Sequence, residues 1–67
     1  MNRVRFWRLE RGLSQMDLSH ATQIPRYRIQ LCEQGYIALE CTELERIAEV
    51  LNVNVIDGNL SSIEESP

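Results

Sequence analysis

The chain of 67 residues lacks long apolar runs and contains few cysteines. No apolar run approaches the roughly 20 residues that a transmembrane helix needs, and no apolar core of a signal peptide follows the N-terminal arginines. Its two cysteines, Cys32 and Cys41, are too few for the disulfide framework of a small secreted domain. We therefore expect a cytoplasmic protein that has no membrane partner.

Reactive side chains are also scarce, since the chain has one histidine beside these two cysteines. The spacing between Cys32 and Cys41 matches none of the common zinc patterns, and Cys32 falls on the predicted buried face of its helix. Ser14, Ser19 and His20 fall on separate predicted faces, so no nucleophile has a base and an orienting group beside it. We expect no enzyme activity, no metal and no cofactor, and the pattern indicates no small-molecule ligand.

Lysine is absent, so all seven fixed cations are arginines, whose planar guanidinium groups suit phosphate and guanine. The net charge of −3 is unfavourable for binding nucleic acid, because phosphate attraction dominates that affinity. The charges are, however, divided unevenly along the chain. Residues 1–36 contain six arginines and three acidic residues, whereas residues 37–67 contain one arginine and seven acidic residues. The first half therefore has the charge that a DNA-binding surface requires.

Capping residues and apolar periodicity predict three helices in the basic half. The first runs over about residues 2–11 and ends at Gly12. Ser14 is a suitable N-cap for the second helix. The third runs over residues 25–34, because proline suits the first turn of a helix, and it ends at Gly35. The tight break between the second and third helices predicts a helix-turn-helix, in which a supporting helix holds a recognition helix.

The acidic half contains the most clearly periodic helix. Thr42 and Glu45 have the spacing of a capping box, and apolar residues recur on one face: Leu44, Ile47, Ala48 and Leu51. Residues 53–56 fit either a short fifth helix or an extended segment, and residues 57–59 are typical of a turn. We predict an all-α fold, with a compact domain of four to five helices at residues 1–56. A short acidic segment at residues 57–67 would be frayed or contribute to a dimer contact.

Three segments carry a family pattern: RLERGLSQMDLSHATQI at residues 8–24, IQLCEQG at residues 29–35 and LERIAEVLNV at residues 44–53. In this order and spacing they resemble the Cro/cI-type (XRE) helix-turn-helix family of phage repressors and bacterial transcription regulators. The resemblance covers roughly residues 3–55. It implies a lambda-repressor-like DNA-binding fold whose recognition helix, residues 25–34 here, enters the major groove.

The resemblance also implies which side chains read the bases. Four residues of the third helix stand where the family has its base-reading side chains: Arg26, Tyr27, Gln30 and Leu31. Their chemistry agrees with this role, because arginine bonds bidentately to guanine and glutamine to adenine. Tyr27 and Leu31 suit contact with a thymine methyl group, and Tyr27 alternatively suits a hydrogen bond to a phosphate.

A second set of residues is expected to position the protein on the DNA backbone: Arg11, Ser14, Gln15 and Arg28. Gln15 resembles the family glutamine that touches a phosphate and braces the recognition helix. The N–H groups at the start of the second helix also suit a phosphate. Arg8 and Glu33 match an internal arginine–glutamate pair that, in the family, ties the first helix to the third.

The chain departs from the family pattern at three places. Gln23 stands where the family usually has glycine, in a turn that often needs left-handed backbone, so we expect a distorted turn that costs roughly 1 kcal/mol. Pro25 stands where serine or threonine usually caps the third helix. The loop of residues 36–40 carries no cation, although this loop is often basic in the family. We therefore expect each subunit to bind DNA more weakly than is typical.

Several apolar residues fall outside the predicted core and together predict a subunit contact: Phe6, Leu9, Leu31 and Ile37. The resemblance implies a homodimer that binds two half-sites of double-stranded DNA about one helical turn apart. We therefore interpret the chain as a sequence-specific transcriptional regulator of the repressor type.

The alternative is a protein–protein interaction module of the same fold, such as an antirepressor or an assembly partner, with little DNA binding. Three features favour this alternative: the net acidity, the outward position of Leu31, and the loop without cations. The two interpretations differ in the salt dependence of DNA affinity, which is steep only for a protein that neutralises phosphates.

Overall fold

The computed structural model describes residues 3–62, in which four helices are followed by a β-hairpin. In chain order the elements are α1 (Val4–Glu10), α2 (Gln15–Thr22), α3 (Arg26–Glu33), α4 (Cys41–Leu51), β1 (Asn54–Ile56) and β2 (Asn59–Ser61). Helix α2 packs against both α3 and α4, and α1 packs against α3 and α4. No helix in residues 3–62 has the length and apolar character needed to cross a membrane.

The prediction of an all-α domain of four to five helices is wrong, because residues 54–61 form an antiparallel hairpin. Val55 pairs with Leu60, and Ile56 pairs with Asn59. Asp57 and Gly58 between the strands both have positive φ, 52° and 76°. This is the geometry of the two-residue turn whose twist matches that of the strands it joins. Of the two possibilities left open for residues 53–56, the extended one is therefore found.

The start of α2 follows the prediction from its capping residues. The Asp17 backbone N–H donates to Ser14 Oγ at 3.0 Å, and the Ser14 N–H donates to Asp17 Oδ2 at 2.9 Å. This reciprocal capping box satisfies two of the N–H groups that a helix start leaves without intrahelical partners. Gln23, at the end of α2, has φ 61° and ψ 23°. The turn therefore has left-handed backbone at the position where the family usually has glycine, and here a glutamine adopts that conformation.

Helix α3 begins one residue later than predicted. Pro25 is its N-cap, with φ −54° and ψ 136°, and makes no side-chain capping hydrogen bond. The helix ends at Glu33, and Gly35 follows with φ 84°. A positive φ at this point is accessible to glycine without the Cβ clash that other residues meet.

The predicted capping box at Thr42 and Glu45 is wrong, because α4 begins at Cys41. The residue before it, Glu40, has extended backbone and is the N-cap. Glu40 and Glu43 form the capping box, each side chain accepting from the other's backbone N–H. The buried face of α4 is nevertheless the predicted one: Leu44, Ile47, Ala48 and Leu51.

A single apolar core joins the helices to the hairpin. Its residues come from all four helices, the connecting loops and β2: Val4, Trp7, Leu18, Ile24, Ile29, Cys32, Leu39, Leu44, Ile47, Ala48, Leu51, Val53 and Leu60. Arg8 and Thr22 are the buried polar residues among those described. Because the helices share this core, α3 is held by the whole domain and not by α2 alone.

The hairpin is tied to the first helix as well as to the core. The backbone N–H of Arg3, just before α1, donates to Asn59 Oδ1 at 3.3 Å, and the Leu60 N–H donates to the same oxygen at 2.9 Å. The division predicted between residues 56 and 57 falls within this hairpin. Residues 63–67 of the predicted acidic segment lie outside the described residues.

Replacing Leu60 tests whether the hairpin is part of the folding unit. Leu60 is 1% exposed and Val55, its cross-strand partner, is 36% exposed. Leu60→Ala is expected to lower the free energy of unfolding by about 2–5 kcal/mol, because it leaves a cavity in the core. Val55→Ala is the matched control and should cost much less. Equal losses in thermal unfolding would show that β2 contributes little to the core.

Candidate nucleic-acid interface

The turn between α2 and α3 is held by side chains of α2. Ser19 Oγ donates to the carbonyl oxygen of Ile24 at 2.6 Å, and the Ile24 N–H donates to Thr22 Oγ1 at 3.3 Å. Thr22 in turn donates to the carbonyl oxygen of Leu18 at 2.7 Å. Ile24 is buried between these bonds. The angle between the two helices is therefore set by a packed and hydrogen-bonded elbow.

The predicted base-reading residues lie on or beside the solvent face of α3. Arg26, Tyr27 and Gln30 are exposed, and Leu31 is half-buried at the edge of this face. Ile29 and Cys32 occupy the opposite, buried face. Within residues 3–62, the side chain of Arg26 makes no ion pair or hydrogen bond. No contact within the part of the chain that the structure describes prevents its guanidinium group from binding an external acceptor.

A buried ion pair anchors α3 to α1. Arg8 Nε donates to Glu33 Oε2 at 2.7 Å, and Arg8 Nη2 donates to Glu33 Oε1 at 3.0 Å. The two side chains are 9% and 3% exposed. Arg8 Nη1 also donates to the carbonyl oxygen of Leu13 at 2.8 Å. The hydrogen bond to Glu33 raises the pKa of Arg8 above its ordinary value, so the Arg8 guanidinium group stays charged in the folded protein.

Gln15 connects the start of α2 to the same pair. Its Nε2 group donates to Glu33 Oε1 at 3.1 Å. Glu33 therefore receives hydrogen bonds from α1 and from α2, while it belongs to α3. This contact corresponds to the bracing role that the resemblance implies for Gln15.

Arg11, expected to contact phosphate, makes internal contacts. Its Nε group donates to the carbonyl oxygen of Leu51 at 2.7 Å, and Nη2 reaches that of Asn52 at 3.5 Å. The guanidinium carbon lies 5.1 Å from the centroid of the Trp7 ring. Arg11 therefore neutralises the C-terminal end of α4, where unpaired carbonyl groups carry partial negative charge.

Arg28, also expected to contact phosphate, is paired with an acidic residue of α4. Its Nε group donates to Glu43 Oε2 at 2.9 Å, and Nη2 donates to Glu43 Oε1 at 2.7 Å. The side chains are 30% and 15% exposed. The bidentate bond raises the pKa of Arg28 and lowers that of Glu43, because each charge stabilises the other.

The first turn of α2 contains a carboxylate as well as the expected Ser14. Hydrogen bonds from the backbone N–H and the side chain of Ser14 lower the pKa of Asp17, so Asp17 is ionised near neutral pH. Its negative charge lies at the positive end of the α2 dipole. A phosphate approaching this helix start would meet that charge.

The structure thus brings together the residues predicted to read bases, and it gives internal partners to the residues predicted to contact phosphate. The sequence analysis does not predict the role of Glu43, which pairs with Arg28 across α3 and α4. The spacing of Glu40 and Glu43 indicates a capping box at the start of α4, but it gives no indication of the pairing with Arg28. Because glutamate is an uncommon N-cap, this signal was weaker than the one at Thr42.

Three further observations concern metal-binding groups, a buried cysteine and a surface cleft in the described part of the chain. No group of three or more His, Cys, Asp or Glu in that part could hold a metal ion. Burial raises the pKa of the Cys32 thiol. An open cleft of about 340 Å³ beside α2 and α4 is lined partly by Arg46 and Glu49, whose charges are opposite.

Comparisons with known proteins give no relative for this chain. A scan against protein-family models finds no match, and neither do searches of the curated proteins and of the solved structures. The likeness to the Cro/cI-type family therefore depends on the three sequence segments alone.

Removing Glu33 tests the central ion pair. Glu33→Ala is expected to lower the free energy of unfolding by about 3–5 kcal/mol, because it leaves the Arg8 charge buried without a carboxylate. Glu45→Ala removes an exposed carboxylate and is the control. If chemical denaturation gives similar losses for both variants, the pair does not hold the helices together.

The pair between Arg28 and Glu43 predicts a loss of stability in acid. Glu43 has a folded pKa below its ordinary value of 4.5, so the unfolded chain binds that proton more readily. The stabilisation is complete above pH 4.5 and is lost as the pH falls through the folded pKa. Arg28→Gln should reduce the fall in melting temperature between neutral and acidic pH, whereas Arg5→Gln should not. An equal fall in both variants would contradict this assignment.

Proposed function

We propose that this protein is a sequence-specific, DNA-binding transcriptional regulator of the repressor type, acting in the cytoplasm as a homodimer. Helix α3 would lie in the major groove and α2 would cross the backbone. One observation carries the proposal: Arg26, Tyr27 and Gln30 are exposed together on a helix that a buried ion pair anchors to α1. A surface-exposed set of base-reading side chains on a fixed support is what direct readout requires.

The side chains on the exposed face of α3 suit recognition of a DNA site that contains both guanine and adenine. The guanidinium group of Arg26 can donate two hydrogen bonds to O6 and N7 of guanine. The side-chain amide of Gln30 can bond to N6 and N7 of adenine. Tyr27 is 62% exposed and offers both an apolar ring and a hydroxyl group. These residues give each half-site a small number of specific contacts.

Association of two copies is supported by apolar side chains outside the core. Phe6 and Leu9 on α1 are about half exposed. A homodimer would also compensate for the small number of backbone contacts that one subunit provides, because two half-sites are bound together.

The second candidate is a protein–protein interaction module with little DNA binding. The internal pairing of Arg11 and Arg28 and the charge of Asp17 favour it, because they reduce the attraction of the surface for phosphate. A titration of DNA affinity with salt separates the two candidates. A regulator loses affinity steeply as salt rises, whereas an interaction module binds little DNA at any salt concentration.

The experiment that tests readout begins with selection of binding sites from random duplexes. On the selected site, Arg26→Ala is expected to lose about 1–3 kcal/mol of binding free energy and to relax base choice at one position of each half-site. Arg46→Ala removes an exposed arginine from α4 and is the charge-matched control. If the two variants bind the selected site equally well, Arg26 does not read a base.

A further inference from the structure

The carboxylate of Glu43 accepts three hydrogen bonds at the start of α4. Two come from the guanidinium group of Arg28, at 2.7 and 2.9 Å, and the third comes from the backbone N–H of Glu40 at 2.9 Å. A guanidinium fork combined with a helix-start N–H is also the donor set that binds a phosphate group. Glu43 therefore gives Arg28 an internal substitute for phosphate.

Arg28 lies within reach of the DNA-facing side of α3. It precedes Leu31 by three residues, so the two are neighbours on the helix surface, and Leu31 borders the exposed face. The Arg28 side chain is 30% exposed and is not enclosed by the protein. Its pairing with Glu43, and not its burial, limits its access to an external anion.

Three other arginines of the basic half have contacts within the protein. Arg8 is paired with Glu33, Arg11 binds the end of α4, and Arg3 lies 4.9 Å from the ring centroid of Phe6. Of the two arginines on α3, Arg28 alone has an ion-pair partner within residues 3–62, so its release would add a second available cation to Arg26 on that helix.

We propose that Glu43 is a positioning residue that withholds Arg28 from the DNA backbone and so sets how steeply DNA affinity depends on salt. The inference rests on the proposed function, because it concerns the same DNA-binding face. Each phosphate neutralised by a protein cation contributes about −0.9 to the slope of log affinity against log salt. A protein with Arg28 held by Glu43 has a shallower slope than its arginine content indicates.

The test is to neutralise Glu43 while keeping its shape. Glutamine at this place in the helix can still accept from the N–H of the N-cap residue, so Glu43→Gln should keep the start of α4 intact. We expect the salt slope to steepen by about 0.9, with affinity roughly tenfold higher at 50 mM salt and roughly threefold higher at 200 mM. The gain should be similar on the selected site and on unrelated duplex DNA, since a phosphate contact carries no sequence information.

Glu45→Gln is the control for net charge, because Glu45 lies on the same helix, is exposed, and makes no ion pair within residues 3–62. It should leave the slope nearly unchanged. Arg28→Gln in the otherwise unsubstituted protein should also leave the slope unchanged, and it keeps the capping box. The double variant Arg28→Gln, Glu43→Gln should lose the additional slope.

Several results would overturn the inference. One is that Glu43→Gln and Glu45→Gln give the same slope. Another is that Arg28→Gln alone makes the slope shallower by about 0.9, since Arg28 would then already contact phosphate. In both cases DNA binding by the unsubstituted protein is retained and the proposed function stands. If the unsubstituted protein binds no DNA at any salt concentration, the proposed function and this inference fail together.

Discussion

The ion pair between Arg8 and Glu33 determines how three helices meet. Arg8 belongs to α1 and Glu33 to α3, and Gln15 at the start of α2 binds the same carboxylate. A buried charge is costly unless its hydrogen bonds are all made, so the geometry that makes them is strongly favoured. Because the orientation of α3 follows from this arrangement, the exposed face with Arg26 depends on contacts on the other side of the helix.

The second constraint on this molecule is that its arginines bind acidic side chains and carbonyl groups of the same chain. A small domain with ten acidic residues and seven arginines offers many internal partners for each cation. Arg28 is paired with Glu43, and Arg11 neutralises the C-terminal end of α4. Such contacts stabilise the fold, and they also reduce the charge available for phosphate. The contrast with Arg26, which has no such partner within the described residues, distinguishes a side chain available for recognition from those that support the domain.

The hairpin shows how a short chain completes its core. Leu60 on β2 is buried, and Asn59 links the strand to the backbone before α1. A domain of this size buries a limited fraction of its surface, so a few additional apolar residues matter to its stability. The strands therefore belong to the same folding unit as the helices, although they lie outside the segments that resemble the helix-turn-helix family.

The sequence by itself determined the features that depend on neighbours along the chain. The capping box at Ser14, the end of α3 near Gly35 and the buried face of α4 follow from local geometry and from the period of the helix. The turn at residues 57–59 is predicted from its residue types, but the pairing of the strands on either side of it is not. The start of α4 is predicted wrongly, because the Glu40 cap is a weaker local signal than the one at Thr42. Only the tertiary structure decided the partners of Arg11 and Arg28. A charged side chain pairs with the charged or polar group that the fold places within a few ångströms of it. When the two residues are distant in sequence, no periodic pattern in the sequence predicts their contact.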